Sequence, residues 1–495
     1  MRKLTTALLL LAGLCSISEG CGAPEKTWAV FQKEWEARGE KFDYREFVPA
    51  PVPSEKNFAH TPLLKPLLEE EWNSELTESK PADPEKYKQA ERLLKIDEDL
   101  PAIILWPRGQ RIDLAAFQEL FRKEGSWPHP AKPGKPAEDV LKGLDVFADE
   151  MAELTRAARE RPLCRFDVKY EAHFAASMPH LMVLRNLTRC FTLRAVARLE
   201  AGKLEAAFAD VEMGLFLTEG LAAEPLALSQ LVRISNLEMI LQAIWEGFAA
   251  EKWTAGQLGT LEKRLAGIDL IESCRRALHC ERDMANQFIY QVKEDADYKK
   301  AQGMVDLARH WPSTDPIGWL DRNQLRFNEL YMKFNRRIIN TRTRTIQPGV
   351  AAEQLKYIEE NKRKPDHVIS SLIVLSIGPL VRQFGNSQTA IDQALLACKL
   401  ELHKLKKGAY PAKLDELEGD LPTDPYSGKA YLYSALPGGE STGRYQLYGI
   451  GWNLKDDNGK IVINDWGRAD NEKGDLVWSY SHPPALFDIP IPGEK

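Results

Sequence analysis

The 495-residue chain is 44% hydrophobic and sets 66 basic against 72 acidic residues, a formal net charge of −6. That is enough apolar material for roughly two or three buried cores, which excludes a disordered or fibrous chain. The slight acidic excess lacks the basic footprint that phosphate neutralisation needs, so no nucleic-acid partner is expected.

Residues 1–20 read as an export signal, because Arg2 and Lys3 precede an uncharged apolar run from Leu4 to Ile17 that ends in the small residues Ser18 and Gly20. The run is too short for a membrane span. Cleavage after Gly20 would leave Cys21 first, where a lipoprotein carries its acyl chains, although Ser18 stands where a good lipobox has an aliphatic residue. A lipidated Cys21 and a simply cleaved leader both stay open. The expected location is the periplasm or cell envelope, with a lipid at Cys21 as the only membrane anchor. Besides Cys15 in the leader, the other cysteines, Cys164, Cys190, Cys274, Cys280 and Cys398, are too sparse for a disulfide framework.

From residue 21 to about 135 the chain is rich in Pro and charge, with Val48-Pro-Ala-Pro-Val-Pro53 favouring extended backbone, and reads as a wrapping arm with short elements. Within it Asp113 can cap a helix through Leu114, Phe117, Leu120 and Phe121, and Gly125 can stop it. Residues 136–385 read as a helical body. Val140, Leu144, Phe147, Met151 and Leu154 share one face of an amphipathic helix, and similar stripes recur at Leu204 to Leu215, Ile234 to Phe248 and Leu258 to Leu265. The breaker Ala201-Gly202-Lys203 predicts an antiparallel hairpin over Leu193 to Leu217 of the tetratricopeptide kind, with no second copy at a fixed period. Val368 to Val381 is apolar but interrupted by Gly378 and Pro379, and reads as a core helix.

Residues 386–495 change character. A helix through Ile391, Leu395, Cys398, Leu402 and Leu405 is stopped by Gly408 and Pro411. Period-two patterns at Tyr431 and Tyr433, and at Tyr445, Leu447 and Gly449, predict strands joined by the turn Leu436-Pro-Gly-Gly-Glu440. Lys460 to Ile463 and Leu476 to Tyr480 supply two more. The fold class is therefore mainly α, with antiparallel helical hairpins in a repeat-like body and a small C-terminal α+β head.

Particular residues in this stretch carry a resemblance: Gly408-Ala-Tyr-Pro411, Leu421-Pro-Thr-Asp-Pro425, Gly428 before Tyr431 and Tyr433, Tyr448-Gly-Ile-Gly451, and Asp456-Asp-Asn-Gly459 closing with Asp475-Leu-Val-Trp478. Over roughly a hundred residues they resemble the soluble head of the major pseudopilin of type II secretion systems. The prepilin cleavage motif and filament helix of that family have no counterpart here, so filament assembly is not implied. The whole chain is also similar to a group of exported bacterial proteins that join such a head to a helical body. Its landmarks are Pro51-Val-Pro53, Asn57-Phe-Ala59, Thr61-Pro-Leu-Leu64, Glu224-Pro225, Gln230-Leu-Val-Arg233, Ile244-Trp-Glu-Gly247 and Gly318-Trp319.

The acidic loop of this region holds Asp456, Asp457, Asn458, Asp465, Asp470 and Asp475 between two strands. Calcium takes six to eight oxygen ligands, and a long irregular loop can wrap them around one ion. In the resembling heads the equivalent loop binds calcium, and Asp457, Asn458 and Asp475 fall at similar places. The same residue types also make turns, so ligand and turn former are both open readings. His279-Cys280-Glu281 with Glu272 and Cys274 has metal-ligand residue types, but Cys280 sits about 100° round a helix from His279. His173 and His180 flank a Met-Pro step as a candidate acid–base pair. The aromatics Tyr426, Tyr431, Tyr433, Tyr445, Tyr448, Trp452, Trp466 and Trp478 read as the core of a small sheet, or as exposed rings for a partner. No Gly-x-Ser-x-Gly or Ser-x-x-Lys stands in an elbow, and no phosphate-cradling glycine motif is present.

The expected function is a non-catalytic cell-envelope scaffold or interaction protein with a calcium-stabilised C-terminal module and an unidentified envelope protein as partner. A hydrolase of envelope or extracellular polymers, with its site in a groove of the body, and an accessory subunit of a secretion apparatus are the alternatives.

Overall fold

The computed structural model describes residues 27–73, 79–94, 100–294, 316–374, 377–435, 445–463 and 469–480. The leader with Cys21, the Leu436–Glu440 turn, Asp465 and Trp466 lie outside the described residues. Helix makes up 63% of the structure and the small antiparallel sheets gather towards the C-terminus, so the chain is mainly α.

Local chemistry sets many of the boundaries. Thr27 caps α1 (Trp28–Glu36), and the short strands β1 (Glu70–Trp72) and β2 (Ser79–Pro81) pair antiparallel. Asp113 accepts hydrogen bonds from the Ala115 and Ala116 N–H groups at 2.9 and 3.1 Å and so caps α2 (Leu114–Glu124). Gly125 ends that helix at φ 63°, a left-handed conformation that a residue without Cβ adopts freely. The single helix expected next is divided by a 3₁₀ turn at Asp145–Phe147 into α3 (Pro136–Leu144) and α4 (Ala148–Glu160). The turn leaves the three- and four-residue spacing intact, so Val140, Leu144, Phe147, Met151 and Leu154 are all buried.

The central helices are α5 (Pro179–Glu200), α6 (Leu204–Glu219), α7 (Ala227–Ala249), α8 (Ala255–Ala266) and α9 (Leu270–Glu294). They are followed by α10 (Pro316–Leu330), the two-residue strands β3 (Ile339–Asn340) and β4 (Thr345–Ile346), α11 (Pro348–Asn361) and α12 (Ile377–Lys407). Strand β5 (Leu432–Ala435) pairs with β6 (Tyr445–Gly449), and β6 with β9 (Leu476–Trp478), while β7 (Ile461–Ile463) pairs with β8 (Ala469–Gly474). Among the described residues every strand pairing is antiparallel, and one isolated bridge, between Asn57 and Leu163, is parallel. Among the described residues no helix is long and apolar enough to cross a membrane.

The chain forms two compact units, Met1–Glu46 with Leu278–Gln383 and Phe47–Ala277 with Phe384–Lys495. Each is discontinuous in sequence, so neither coincides with one of the stretches 21–135, 136–385 and 386–495.

In the smaller unit the centre is a buried cation. Arg282 is fully enclosed, donates from Nη1 to Glu40 Oε1 at 2.6 Å and from Nε to Asp283 Oδ1 at 2.7 Å, and stacks between the Phe42 and Tyr331 rings. Charge pairing and ring stacking together replace the water that the guanidinium has lost. Nearby, Asn286 and Asn328 exchange side-chain hydrogen bonds at 3.1 and 2.7 Å, satisfying amides buried between α9 and α10.

In the larger unit α5 and α6 form a hairpin stapled by Asp210, which is 2% exposed and accepts from Arg194 Nη2 and Arg198 Nη1, each at 2.7 Å. α7 packs against both helices, and every residue from Met239 to Phe248 is buried. A helix enclosed on all sides has no wet face for its polar groups, so they need protein partners. Gln242 Oε1 accepts from the Leu105 and Trp106 N–H groups at 2.8 and 2.6 Å, and Glu246 Oε1 from Ile112 N–H at 2.9 Å. These bonds satisfy an irregular backbone segment that has no ladder of its own. Burial pushes the Glu246 carboxyl up to about 7, against the pull of its hydrogen bonds from Gln242 and Ile112. Gly247 is required by packing, since an added Cβ would lie 2.0 Å from the Trp253 ring.

The C-terminal sheet closes on the same helix. Trp478, 0% exposed, packs against Trp106 at 5.3 Å and Phe248 at 6.1 Å between ring centroids. Trp245 Nε1 donates to Ser479 O at 3.0 Å, and Gln393 on α12 to Leu476 O at 2.6 Å. Sheet and helices therefore share one core. Trp478→Ala should cost about 3–5 kcal/mol, and denaturant unfolding of the whole chain should show the loss in the helical signal as well as in the sheet.

Candidate metal centre

The acidic loop is built where β7, β8 and β9 meet. Asp475 follows β8, and its N–H donates to Lys460 O at 2.9 Å, which aims the side chain back into the loop before β7. There Asp475 Oδ2 accepts from Asp457 N–H at 3.0 Å and Gly459 N–H at 2.7 Å. Gly459, at φ 73°, has no room for a side chain, since a Cβ would lie 1.9 Å from Gln446 Nε2. One carboxylate oxygen thus ties the loop shut.

The other oxygen is the unusual one. Asp475 is 4% exposed, and among the described residues its buried Oδ1 has no hydrogen-bond partner. A buried acceptor left without a donor is costly and needs an explanation. Burial raises the Asp475 carboxyl to about 6; the backbone hydrogen bonds from Gly459 and Asp457 pull it down, while the Asp457 and Asp456 charges push it further up.

The surrounding candidates divide. Asp457 Oδ2 accepts from Asn453 Nδ2 at 2.8 Å, and Asp456 Oδ1 from Asn458 N–H at 2.9 Å and Tyr448 O–H at 3.3 Å. Asn458 adopts φ 60° and is exposed, a turn conformation that Asn tolerates. Asp470 is turned to its own strand, accepting from Glu472 N–H at 2.9 Å, with Lys473 Nζ 3.8 Å away. Among the described residues no group of three or more His, Cys, Asp or Glu side chains is arranged to hold a metal ion. A cation seated here would take Asp475 Oδ1 and complete its shell with carbonyl oxygens of the loop and water, a set that suits calcium. Asn453 carries no signal in the sequence, and Tyr448 reads there as a sheet aromatic rather than as a donor to Asp456. Asn453 stands four residues before Asp457, but nothing in the spacing says that its amide turns forward to the carboxylate.

The remaining sequence candidates are placed elsewhere. Glu272 pairs with Arg275 (Nε to Oε2, 2.8 Å), His279 Nδ1 lies 3.7 Å from Glu40, and Cys274 and Cys280 are buried and form no disulfide among the described residues. His180 is buried, stacks on Phe166 and sets Nε2 2.9 Å from Glu224 Oε1. Tyr426, Tyr431, Tyr445 and Trp478 are buried and build the sheet's core.

Because the Asp475 carboxyl sits at about 6 in the fold against an ordinary 3.8, the folded state holds this proton more tightly than the unfolded state. Its contribution to stability is complete below about pH 4 and is lost as pH rises through about 6. The melting-temperature difference between wild type and Asp475→Asn in chelator should therefore move in favour of the Asn protein across pH 4–7 and level off above it; a difference independent of pH would contradict this.

Compared with protein families, with curated proteins and with solved structures, the chain matches none at a significant level.

Proposed function

We propose that the chain is an exported cell-envelope scaffold or interaction protein whose C-terminal module is held in its working shape by calcium. The observation that carries this reading is the buried Asp475 carboxylate, with one oxygen tying the loop and the other facing no donor beside Asp456 and Asp457. A hard divalent cation relieves all three charges at once and turns an unsatisfied acceptor into a ligand. The resemblance of Leu421–Pro425, Tyr448–Gly451 and Asp475–Trp478 to the pseudopilin head supports the same ion. The antiparallel helices supply a rigid, extended surface for a protein partner of the envelope, and the repeat-like arrangement belongs to this proposal. Export rests on Arg2, Lys3 and the apolar run before Cys21.

Thermal unfolding of the full chain tests the ion. At a hundredfold its dissociation constant calcium should add about 2.7 kcal/mol, magnesium much less, and Asp475→Ala should abolish the response. An equal shift in both metals, or none, contradicts the calcium reading. For export, the mass of the mature N-terminus should begin at Cys21, with or without acyl chains; an intact Met1 in the envelope fraction contradicts it.

A further inference from the structure

The fold brings together a serine, a histidine and an aspartate that no sequence motif connects. Ser54 opens a single 3₁₀ turn, Ser54–Lys56, and His60 ends the next one, Phe58–His60. This sets Ser54 Oγ 2.9 Å from His60 Nδ1. The other ring nitrogen, Nε2, lies 3.2 Å from Oδ2 of Asp167, a residue 107 positions away.

The backbone beneath these side chains is latched on both sides. Phe58 N–H donates to Leu163 O at 2.7 Å and Leu163 N–H to Lys56 O at 3.1 Å. Buried Asn57 bridges the same two segments, its Nδ2 donating to Arg165 O at 2.8 Å and its Oδ1 accepting from Arg165 N–H at 2.9 Å. The three functional groups are thus positioned by main-chain contacts and not by long mobile side chains.

With Asp167 as carboxylate and the ring neutral, the tautomer that serves both contacts carries its hydrogen on Nε2, and Nδ1 accepts from the Ser54 O–H. Arg165 Nη1 holds the second Asp167 oxygen at 2.6 Å and keeps the carboxylate oriented. This is the protonation pattern that a serine nucleophile needs, with the two ring nitrogens in exchanged roles. Arg161 donates to the Ser54 carbonyl and so places a cation beside the nucleophile.

We propose that Ser54, His60 and Asp167 form an acyl-transfer centre that hydrolyses short-chain carboxylic esters displayed on larger molecules. Ser54 is exposed, and Leu163, whose backbone is latched to Lys56 and Phe58 of the same turns, is 46% exposed. Such an open setting encloses little of a small ligand and suits an ester presented by a bulky carrier. Ser54 Oγ adds to the ester carbonyl as its proton passes to His60 Nδ1, and the oxyanion forms beside Arg161. Collapse breaks the bond to the alcohol, which leaves with the proton from Nδ1. Water then adds to the acyl-serine, giving its proton to His60, and collapse releases the carboxylic acid and returns the proton to Ser54. No oxidant or cofactor enters, and the centre adds an activity to the scaffold reading without depending on calcium at Asp475.

The test uses the full-length protein with a fluorophosphonate probe and p-nitrophenyl acetate. The probe should label Ser54 in the native protein and not after heat denaturation. Ser54→Ala and His60→Ala should lower ester hydrolysis by about 10²- to 10⁴-fold at unchanged melting temperature, with Asp167→Asn also reducing it. Absence of label on the native chain, equal label after denaturation, or an unchanged rate in Ser54→Ala overturns the proposal. Should His60→Ala fail to fold, the pH dependence of native labelling decides: a rise following one imidazole titration supports the centre, and a flat profile overturns it.

Discussion

From Met239 to Phe248 helix α7 is buried at every position, and the polar groups that it carries into the interior determine what can pack against it. An apolar helix in that place would accept many neighbours. Gln242, Trp245 and Glu246 accept only a neighbour that offers the right backbone group at the right height. The segment Leu105–Ile112 and the end of β9 meet that demand from opposite ends of the sequence. Since a buried polar group left unpaired costs about 1–3 kcal/mol, each such match also excludes alternative packings.

This constraint changes the standing of the C-terminal sheet. A free head would close over its own aromatic core, whereas Trp478 completes its contacts with Trp106 and Phe248. The Asp475 loop lies three residues before that tryptophan, so the loop is anchored on one side to the helical core and on the other to β7.

How much could be read in advance follows from the range of each interaction. The Asp113 cap and the Gly125 stop of α2, the buried stripe from Val140 to Leu154 and the hairpin at Gly202 are set by residues within a few positions of one another, and their spacing announces them. The Asp475 loop was legible as composition, and of its two open readings the turn role is visible in Oδ2, which accepts from the Asp457 and Gly459 N–H groups. The bonds from Gln242 and Glu246 join residues 134 to 137 positions apart, and that between His60 and Asp167 spans 107. No local pattern foretells them, because the residue types involved are common and only the tertiary fold selects the pair. The discontinuous units arise likewise from long-range partnerships such as that of Arg282 with Glu40.

Hydrogen exchange of the full chain, with calcium and with chelator, tests the account most directly. The amides of Leu105, Trp106 and Ile112 and those of β9 should show the same high protection as α7 in both conditions, while Asp457 and Gly459 should gain protection only with calcium. A sheet that exchanges independently of α7, or a loop indifferent to calcium, would contradict the view that one enclosed helix mounts a calcium-ordered surface.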